Sequence, residues 1–205
     1  WEAVREHFRY RSGQHGDPQA GLVFGSHHAP LHEQFAAYAR SSLAPGRPLQ
    51  EAAVALMHQM HRDLRYASQS TDIHTPALQA LQDRRGVCQD FAHILIACLR
   101  SLGLAARYVS GYLLTHPPEG QPRLVGADAS HAWASVYLPE LTEQPCGGWL
   151  DLDPTNDRAG FGAPGEDYVT VAWGRDFADV SPLRGVLHGG ASHSLQVGVS
   201  VEPLT

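Results

Sequence analysis

The hydrophobic pattern of residues 49–66 is that of an amphipathic helix. Apolar residues recur one, three or four positions apart from Leu49 onward, which places them on a single stripe of a helix that ends near Tyr66. The stripe consists of Leu49, Ala53, Leu56, Met57, Met60 and Leu64. Residues 1–48, by contrast, are rich in Gly, Pro, His and Ser and have only one modest helical pattern, over Leu31–Tyr38. They predict a loosely structured N-terminal segment before a domain that spans residues 49–205.

Two further helices are predicted between residues 75 and 103. Pro76–Gln82 is a short one, with Thr75 as N-cap, Pro76 at the first helical position and Gly86 at its end. Cys88–Leu102 is apolar on most sides and is followed by Gly103, a typical C-terminal cap. A helix of this kind lies in the middle of a domain.

The second half of the chain has the pattern of strands. Residues 104–114, 130–138 and 148–153 are rich in β-branched, aromatic and alternating apolar residues, and the last two are joined by a connection that contains Pro and Gly. Tyr168–Trp173 and a final alternating run, Leu195 to Val201, are further candidate strands. Helices followed by an antiparallel sheet predict the α+β class.

Composition excludes several classes of function. The chain has 205 residues, 43% of them hydrophobic and 18% charged, and a net charge of −6 with no basic stripe, so we expect no nucleic-acid partner. No apolar stretch reaches the roughly 18 residues of a membrane span, and residues 1–20 lack a signal-peptide pattern, which predicts a cytoplasmic protein. The phosphate-binding and dinucleotide-binding glycine motifs are missing from the sequence.

The three cysteines have different expected roles. Cys88, Cys98 and Cys146 are too few and too unevenly spaced for a disulfide framework, so reduced thiols are expected. Cys98, in mid-helix, fits a buried structural residue, and Cys146, in the strand connection, is expected to be exposed and dispensable. Cys88 begins a helix, where the helix dipole and a neighbouring histidine lower the pKa of a thiol and backbone N–H groups can bind an oxyanion.

His131 and Asp153 are the expected partners of this thiol. If residues 130–138 and 148–153 form a hairpin centred on residue 142, His131 and Asp153 lie directly opposite each other on one face. A slip of one residue would implicate Asp151 instead, and Asp128 is a further carboxylate near His131. His93 lies on the helix of Cys88 but is rotated by about 140° from it, so it cannot face the thiol.

A metal site is the first alternative, because Cys and neutral His are good zinc ligands. The spacing opposes it: no CxxC or HxxxH pattern lies on one helix face. His27, His28, His188 and His193 lie in Gly-rich loops, where solvated or turn roles are more common. We therefore predict no metal and no cofactor.

Three sequence blocks in this order resemble the bacterial transglutaminase-like family: GVCQDFA, SHAWASVYLP and WLDLDPTND. The resemblance implies a cysteine-proteinase-like fold, with the thiol at the start of a central helix packed on an antiparallel sheet. It implies a Cys-His-Asp triad, which corresponds to Cys88, His131 and Asp153. Papain-like proteases place an oxyanion glutamine six residues before the thiol, where Gln82 stands here. Full-length members usually carry an N-terminal β-rich domain, and we expect that it is absent here.

These residues predict a thiol enzyme that acts on peptide or protein amides through an acyl-enzyme. Hydrolysis is favoured over transglutamination, because amine transfer requires that water be excluded and nothing in the sequence indicates a barrier to water. The alternative is a non-catalytic peptide-binding or protein-binding module on the same fold. Neither the individual substrate nor the oligomeric state can be read from the sequence.

Overall fold

A computed structural model describes residues 1–13, 15–67, 75–114, 129–181 and 198–202. Its helices, in chain order, are α1 (Glu2–His7), a 3-10 helix (Pro18–Val23), α2 (Glu33–Ala39), α3 (Leu49–Asp63), α4 (Ala77–Asp83), α5 (Cys88–Ser101), a second 3-10 helix (Pro139–Leu141) and α6 (Phe177–Val180). Its strands are β1 (Arg65–Tyr66), β2 (Arg85–Gly86), β3 (Ala106–Leu113), β4 (Ala129–Tyr137), β5 (Trp149–Asp153), β6 (Arg158–Phe161) and β7 (Tyr168–Gly174).

Five strands form one antiparallel sheet in the order β6-β5-β4-β3-β7, and α5 packs on one of its faces. β1 and β2 form a separate parallel pair. The predicted α+β class, with a central helix on an antiparallel sheet, is confirmed. None of the helices within the described ranges is long and apolar enough to cross a membrane.

Helix α5 lies at the centre of the hydrophobic core. Its residues Phe91–Arg100 are all buried, because α2, α3, α4 and the sheet contact it from different sides. The sheet face towards α5 carries the alternating apolar residues that the sequence predicts. They are Ala132, Ala134, Val136, Leu150 and Leu152, none more than 4% exposed.

Residues 1–48 are more closely integrated than their composition predicts. Phe35 and Ala39 of α2 are fully buried in the same core as α5, and α1 contributes Val4. Helix α2 packs directly against α5. The description as a loosely structured segment does not fit these contacts, while the domain boundary at residue 49 stays a prediction.

Several predicted element ends differ from the structure. α3 ends at Asp63, three residues early, because Arg65–Tyr66 pairs with Arg85–Gly86 instead of continuing the helix. Pro76, not Thr75, is the N-cap of α4, and the helix ends at Asp83, followed by the C-cap Arg84 in a left-handed conformation (φ 54°). Residues 195–197 of the final alternating run lie outside the described residues, and residues 198–201 form no strand beyond an isolated bridge at Val199.

Gly111 is a position where a side chain would disturb the sheet. It lies on β3 opposite His131, at an irregularity in the pairing with β7. An added Cβ would overlap the backbone carbonyl oxygen of Val169 and would lie 2.6 Å from Cη2 of Trp133. The carbonyl belongs to the paired strand, so it cannot move aside without breaking the ladder.

The variant Gly111→Ala should therefore lower the free energy of unfolding by about 1–3 kcal/mol, because overpacking a rigid site forces backbone shifts. Urea denaturation measures this change. Gly21→Ala is the control, since an added Cβ there meets nothing within 4 Å. Equal stability of the two variants would contradict the account of Gly111.

Candidate active site

Cys88 is the first residue of α5, and its side chain is partly exposed. The helix begins here because Asp90, in its first turn, accepts a hydrogen bond from the backbone N–H of Val87 at 2.8 Å. Gly86 leaves room for that carboxylate: an added Cβ would lie 2.7 Å from its Oδ2 atom. The sequence GVCQD thus starts a helix with a thiol on its first residue.

The chain before Cys88 is held in place by the segment that follows α3. The N–H of Arg65 donates to the carbonyl of Arg84 at 2.9 Å, and the N–H of Ala67 donates to the carbonyl of Gly86 at 3.0 Å. These bonds extend the β1–β2 pair on both sides. They connect α3 to the start of α5, and so fix the backbone that presents the thiol.

His131 and Asp153 lie next to this helix start on β4 and β5. His131 Nε2 and Asp153 Oδ2 are 2.7 Å apart, and the Cys88 side chain lies close enough to His131 to raise the pKa of the imidazole. The structure therefore brings together the three side chains that the sequence predicts: Cys88, His131 and Asp153. His131 and Asp153 have little access to solvent, at 8% and 0% exposure, whereas Cys88 is partly exposed.

The predicted hairpin register is wrong by two residues. Ser135 pairs with Asp151 and Ala134 with Leu152, so the β4–β5 pairing is centred on residue 143 and not on residue 142. His131 and Asp153 are consequently diagonal neighbours. A two-residue shift leaves each side chain on the same face of the sheet, so His131 and Asp153 still form a hydrogen bond.

Charges in the site favour an ion pair. Burial disfavours the charged form of His131, but hydrogen bonds to Asp153 and Cys88 outweigh burial and raise the His131 pKa from 6.5 to about 9. Burial raises the pKa of the Asp153 carboxyl group, but hydrogen bonds from His131, Tyr168 and Asn156 outweigh burial and lower it. At neutral pH the imidazole is thus positively charged and the carboxylate negatively charged.

The turn after Asp153 is attached to α3. His61 Nδ1 lies 3.0 Å from the carbonyl oxygen of Pro154, and His58 Nδ1 lies 2.5 Å from Oδ1 of Asp157. Asp157 adopts a left-handed conformation (φ 56°) at the end of this turn. Helix α3 is therefore connected to both sides of the site. It leads into β1, which pairs with the chain before Cys88, and it holds the loop that follows Asp153.

The other candidate residues have different surroundings. Gln82 donates to Oε1 of Gln34 at 2.9 Å, so its amide is engaged with α2, and an oxyanion role stays a prediction. Asp151 lies two residues before Asp153 on β5 and accepts a hydrogen bond from the Ser135 hydroxyl. Cys98 is buried, and burial raises the pKa of its thiol. Asp128, His188 and His193 lie outside the described residues.

His93 has a structural role. Its ring stacks between those of His28 and Tyr108, at 5.1 Å and 4.9 Å, and its Nε2 accepts a hydrogen bond from the N–H of Phe177 at 3.2 Å. Burial lowers its pKa to about 3, so it is neutral. This agrees with the prediction that it does not face the thiol.

Two residues near Asp153 were not singled out from the sequence. Asn156 lies in the WLDLDPTND block, and its proximity follows from the turn that the Asp-Pro-Thr sequence favours. Tyr168 begins β7, at the far edge of the sheet from β6, and no local pattern connects it to Asp153. Both donate hydrogen bonds to Asp153 Oδ2, at 2.8 Å and 2.7 Å.

No group of three or more His, Cys, Asp or Glu side chains among the described residues is arranged to hold a metal ion. The Cys88 thiol, the His131 imidazole and the Asp153 carboxylate lie next to one another. Such an arrangement can activate a sulfur nucleophile and transfer a proton from it.

Comparisons with known proteins find relatives of similar sequence. An uncharacterized protein of Mycobacterium tuberculosis is 43% identical over 204 residues, which are 99% of this chain and 62% of that protein. A protein-glutamine gamma-glutamyltransferase of Pseudomonas aeruginosa is 37% identical over 73 residues, 35% of this chain and 10% of that protein. The chain spans less than two thirds of the length of these curated relatives.

A solved structure has a similar fold. A candidate cysteine protease from Cytophaga hutchinsonii superposes with a TM-score of 0.63 and 26% identity, over 82% of this chain and 50% of that chain. The profile of the Transglutaminase-like superfamily matches residues 35–154, which is more than half of the chain and includes Cys88, His131 and Asp153. The chain therefore belongs to the transglutaminase-like superfamily.

Proposed function

We propose that this chain is a thiol enzyme that cleaves amide bonds in peptides or proteins through an acyl-enzyme, with Cys88 as nucleophile, His131 as acid and base, and Asp153 as the group that orients His131. One observation carries the proposal: Cys88, at the start of α5, lies close enough to His131 to raise its pKa, and His131 Nε2 lies 2.7 Å from a buried carboxylate. A charged imidazole next to the sulfur stabilises a thiolate, which is the nucleophilic form of cysteine.

The reaction takes place in two steps. The Cys88 sulfur attacks the amide carbon, and the resulting tetrahedral intermediate breaks the C–N bond while His131 gives its proton to the leaving amine. His131 is then neutral and removes a proton from water, which attacks the thioester. Collapse of the second intermediate releases a carboxylic acid and returns the thiolate and the imidazolium.

The oxyanion of each intermediate needs hydrogen-bond donors. The first N–H groups of a helix have no partner within the helix, and α5 begins at Cys88 itself. We place the backbone N–H of Cys88 in this role, where the helix dipole also favours negative charge. Gln82 is a second candidate, and it would have to leave Gln34 to reach the site.

Water and an amine compete for the acyl-enzyme. The partly exposed Cys88 supports water as the acceptor, because solvent has access to the thioester position. The similarity to a glutamyltransferase over 73 residues supports the other outcome, transfer to an amine. All 15 basic residues of this chain are arginines, so a lysine acceptor would have to come from another molecule.

We expect hydrolysis to dominate, and oxygen-18 water tests this directly. A casein digest, which offers backbone and glutamine amides, is incubated with the protein in labelled water, with and without a primary amine. New carboxyl groups should carry one oxygen-18 atom, and amine adducts should be the minor product in mass spectra. Protein pretreated with iodoacetamide supplies the uncatalysed background.

The outcomes separate the candidate functions. Predominance of amine adducts would show that transfer is the main reaction. Peptides that bind without any labelled or amine-linked product would favour a non-catalytic binding module.

A further inference from the structure

The Asp153 carboxylate is hydrogen-bonded on both oxygens, although it is completely buried. Oδ1 accepts the backbone N–H groups of Thr155 and Asn156, at 2.8 Å and 3.4 Å. Oδ2 lies 2.7 Å from His131 Nε2 and accepts from the Tyr168 hydroxyl at 2.7 Å and from Asn156 Nδ2 at 2.8 Å. Rotation of the carboxylate would therefore break several bonds at once.

Tyr168 reaches this carboxylate across the sheet. It is the first residue of β7, which β3 and β4 separate from the strand of Asp153. Its ring is 7% exposed and packs edge-on against Trp133 at 5.4 Å and against His131 at 5.9 Å. Packing thus holds the ring, and only the hydroxyl group contacts Asp153.

The direction of the Tyr168 hydroxyl proton is determined by its neighbours. Asn156 Nδ2 donates to the hydroxyl oxygen at 3.2 Å, and the hydroxyl donates to Asp153. Burial and the bond to Asp153 raise the Tyr168 pKa, so the phenol stays protonated and can only stabilise the anion. It does not serve as a base.

We propose that Tyr168 and Asn156 are positioning residues, which hold the Asp153 carboxylate against His131 and keep it ionised. This proposal rests on the proposed function, because it concerns the orientation of the same imidazole. A carboxylate that loses a donor is less stable as an anion and accepts a proton at higher pH. Once it is protonated, His131 loses its negative partner and the thiolate loses its support.

The test compares Tyr168→Phe with Tyr137→Phe. Tyr137 is an appropriate control because it is also buried, its ring packs against Trp149 with centroids 5.1 Å apart, and burial and nearby Asp17 raise its pKa. It lies six residues from His131 on β4, about 20 Å away at about 3.3 Å per residue. Each change removes one hydroxyl group and retains the ring.

Two measurements are made on each variant. The first is the rate of iodoacetamide alkylation of Cys88 against pH, read by mass spectrometry. The second is the turnover of p-nitrophenyl acetate, an activated ester that acylates thiols. Tyr168→Phe should move the acid-side midpoint of the alkylation profile to higher pH and lower turnover roughly 10- to 100-fold, the effect of one hydrogen bond to a charged group. Tyr137→Phe should leave the midpoint unchanged.

Asn156→Ser provides an independent variant. Asn156 is exposed and lies in a turn, so its replacement leaves the core intact, and it should move the midpoint in the same direction. If Tyr168→Phe does not fold, the pH midpoint of Asn156→Ser tests the proposal by itself. A merely structural role predicts lower thermal stability with an unchanged midpoint in both variants, and that result would overturn the proposal.

Failure of the proposed function has a different signature. In that case Cys88 of the unmodified protein reacts no faster than Cys146, whatever residue stands at position 168. If Cys88 reacts faster than Cys146 but neither variant shifts the pH midpoint, only the positioning role is rejected.

Discussion

Asp153→Asn should reduce p-nitrophenyl acetate turnover by about 10³- to 10⁴-fold. In triads of this type the carboxylate selects the imidazole tautomer, and an amide in its place selects the wrong one. Asp153 accepts bonds at both oxygens, whereas an asparagine must turn an NH₂ group towards one set of donors. The NH₂ group would face either the Thr155 N–H or the donors at Oδ2, so the substituted side chain cannot keep its position.

Asp151→Asn is the matched control. Asp151 is buried on the same strand and the same face, and it bonds Ser135, not His131. We expect its turnover to remain within a few-fold of that of the unmodified protein. Similar losses of turnover in the two variants would mean that removal of any buried charge from β5 lowers activity, whether or not that charge contacts His131.

The same substitution should change the pH dependence of stability. The pKa of His131 is raised from 6.5 to about 9, so its stabilising contribution is complete below 6.5 and is lost as pH rises through about 9. The pKa of Asp153 is lowered from 3.8, so its contribution is present above that value and is lost as pH falls further. The stability difference between the unmodified protein and Asp153→Asn, measured by urea denaturation, should be largest at about pH 5–6.5.

His131→Ala should make the alkylation of Cys88 at pH 6 roughly 10- to 100-fold slower. Without a cation next to it, a thiol titrates near its ordinary pKa of about 8.5 and is almost entirely protonated at pH 6. The gain from ion pairing is partly offset, because a stabilised thiolate is also a weaker nucleophile. In the unmodified protein the raised pKa of His131, about 9, keeps a cation next to the sulfur at pH 6, so Cys88 should react faster there than in the variant.

Two internal references and one variant complete this experiment. Cys98 is buried and should not react in the folded protein, whereas Cys146 reports an ordinary partly exposed thiol. His93→Gln is the control variant, because glutamine keeps an acceptor for the Phe177 N–H and the residue stands five positions after Cys88. A Cys88 rate that is the same in His131→Ala and in the unmodified protein would refute the thiol–imidazole pair.

Local sequence determined much of the architecture. Apolar spacing predicted α3 and α5, and alternation predicted β3, β4, β5 and β7, because burial of one face imposes a period that is visible in the chain. The α+β class and the superfamily were also predicted correctly. The candidate residues Cys88, His131 and Asp153 came from short blocks in which the backbone around each residue is locally specified.

Tertiary structure decided the contacts that join distant parts of the chain. The β4–β5 register depends on how residues 138–148 turn through a 3-10 helix (Pro139–Leu141), and the sequence did not specify that geometry. The end of α3 depends on β2, a partner twenty residues away in the chain. The contact of Tyr168 with Asp153 depends on the strand order, because two strands lie between β7 and β5.

The physical reason is the range of the interactions. Helix and strand patterns reflect neighbours within a few residues, whereas hydrogen bonds such as that from Tyr168 to Asp153 exist only after the sheet has assembled. The sequence by itself therefore determined which side chains could take part in chemistry and on which elements they lie. The folded sheet alone decided which donors surround the Asp153 carboxylate and so how firmly it is held against His131.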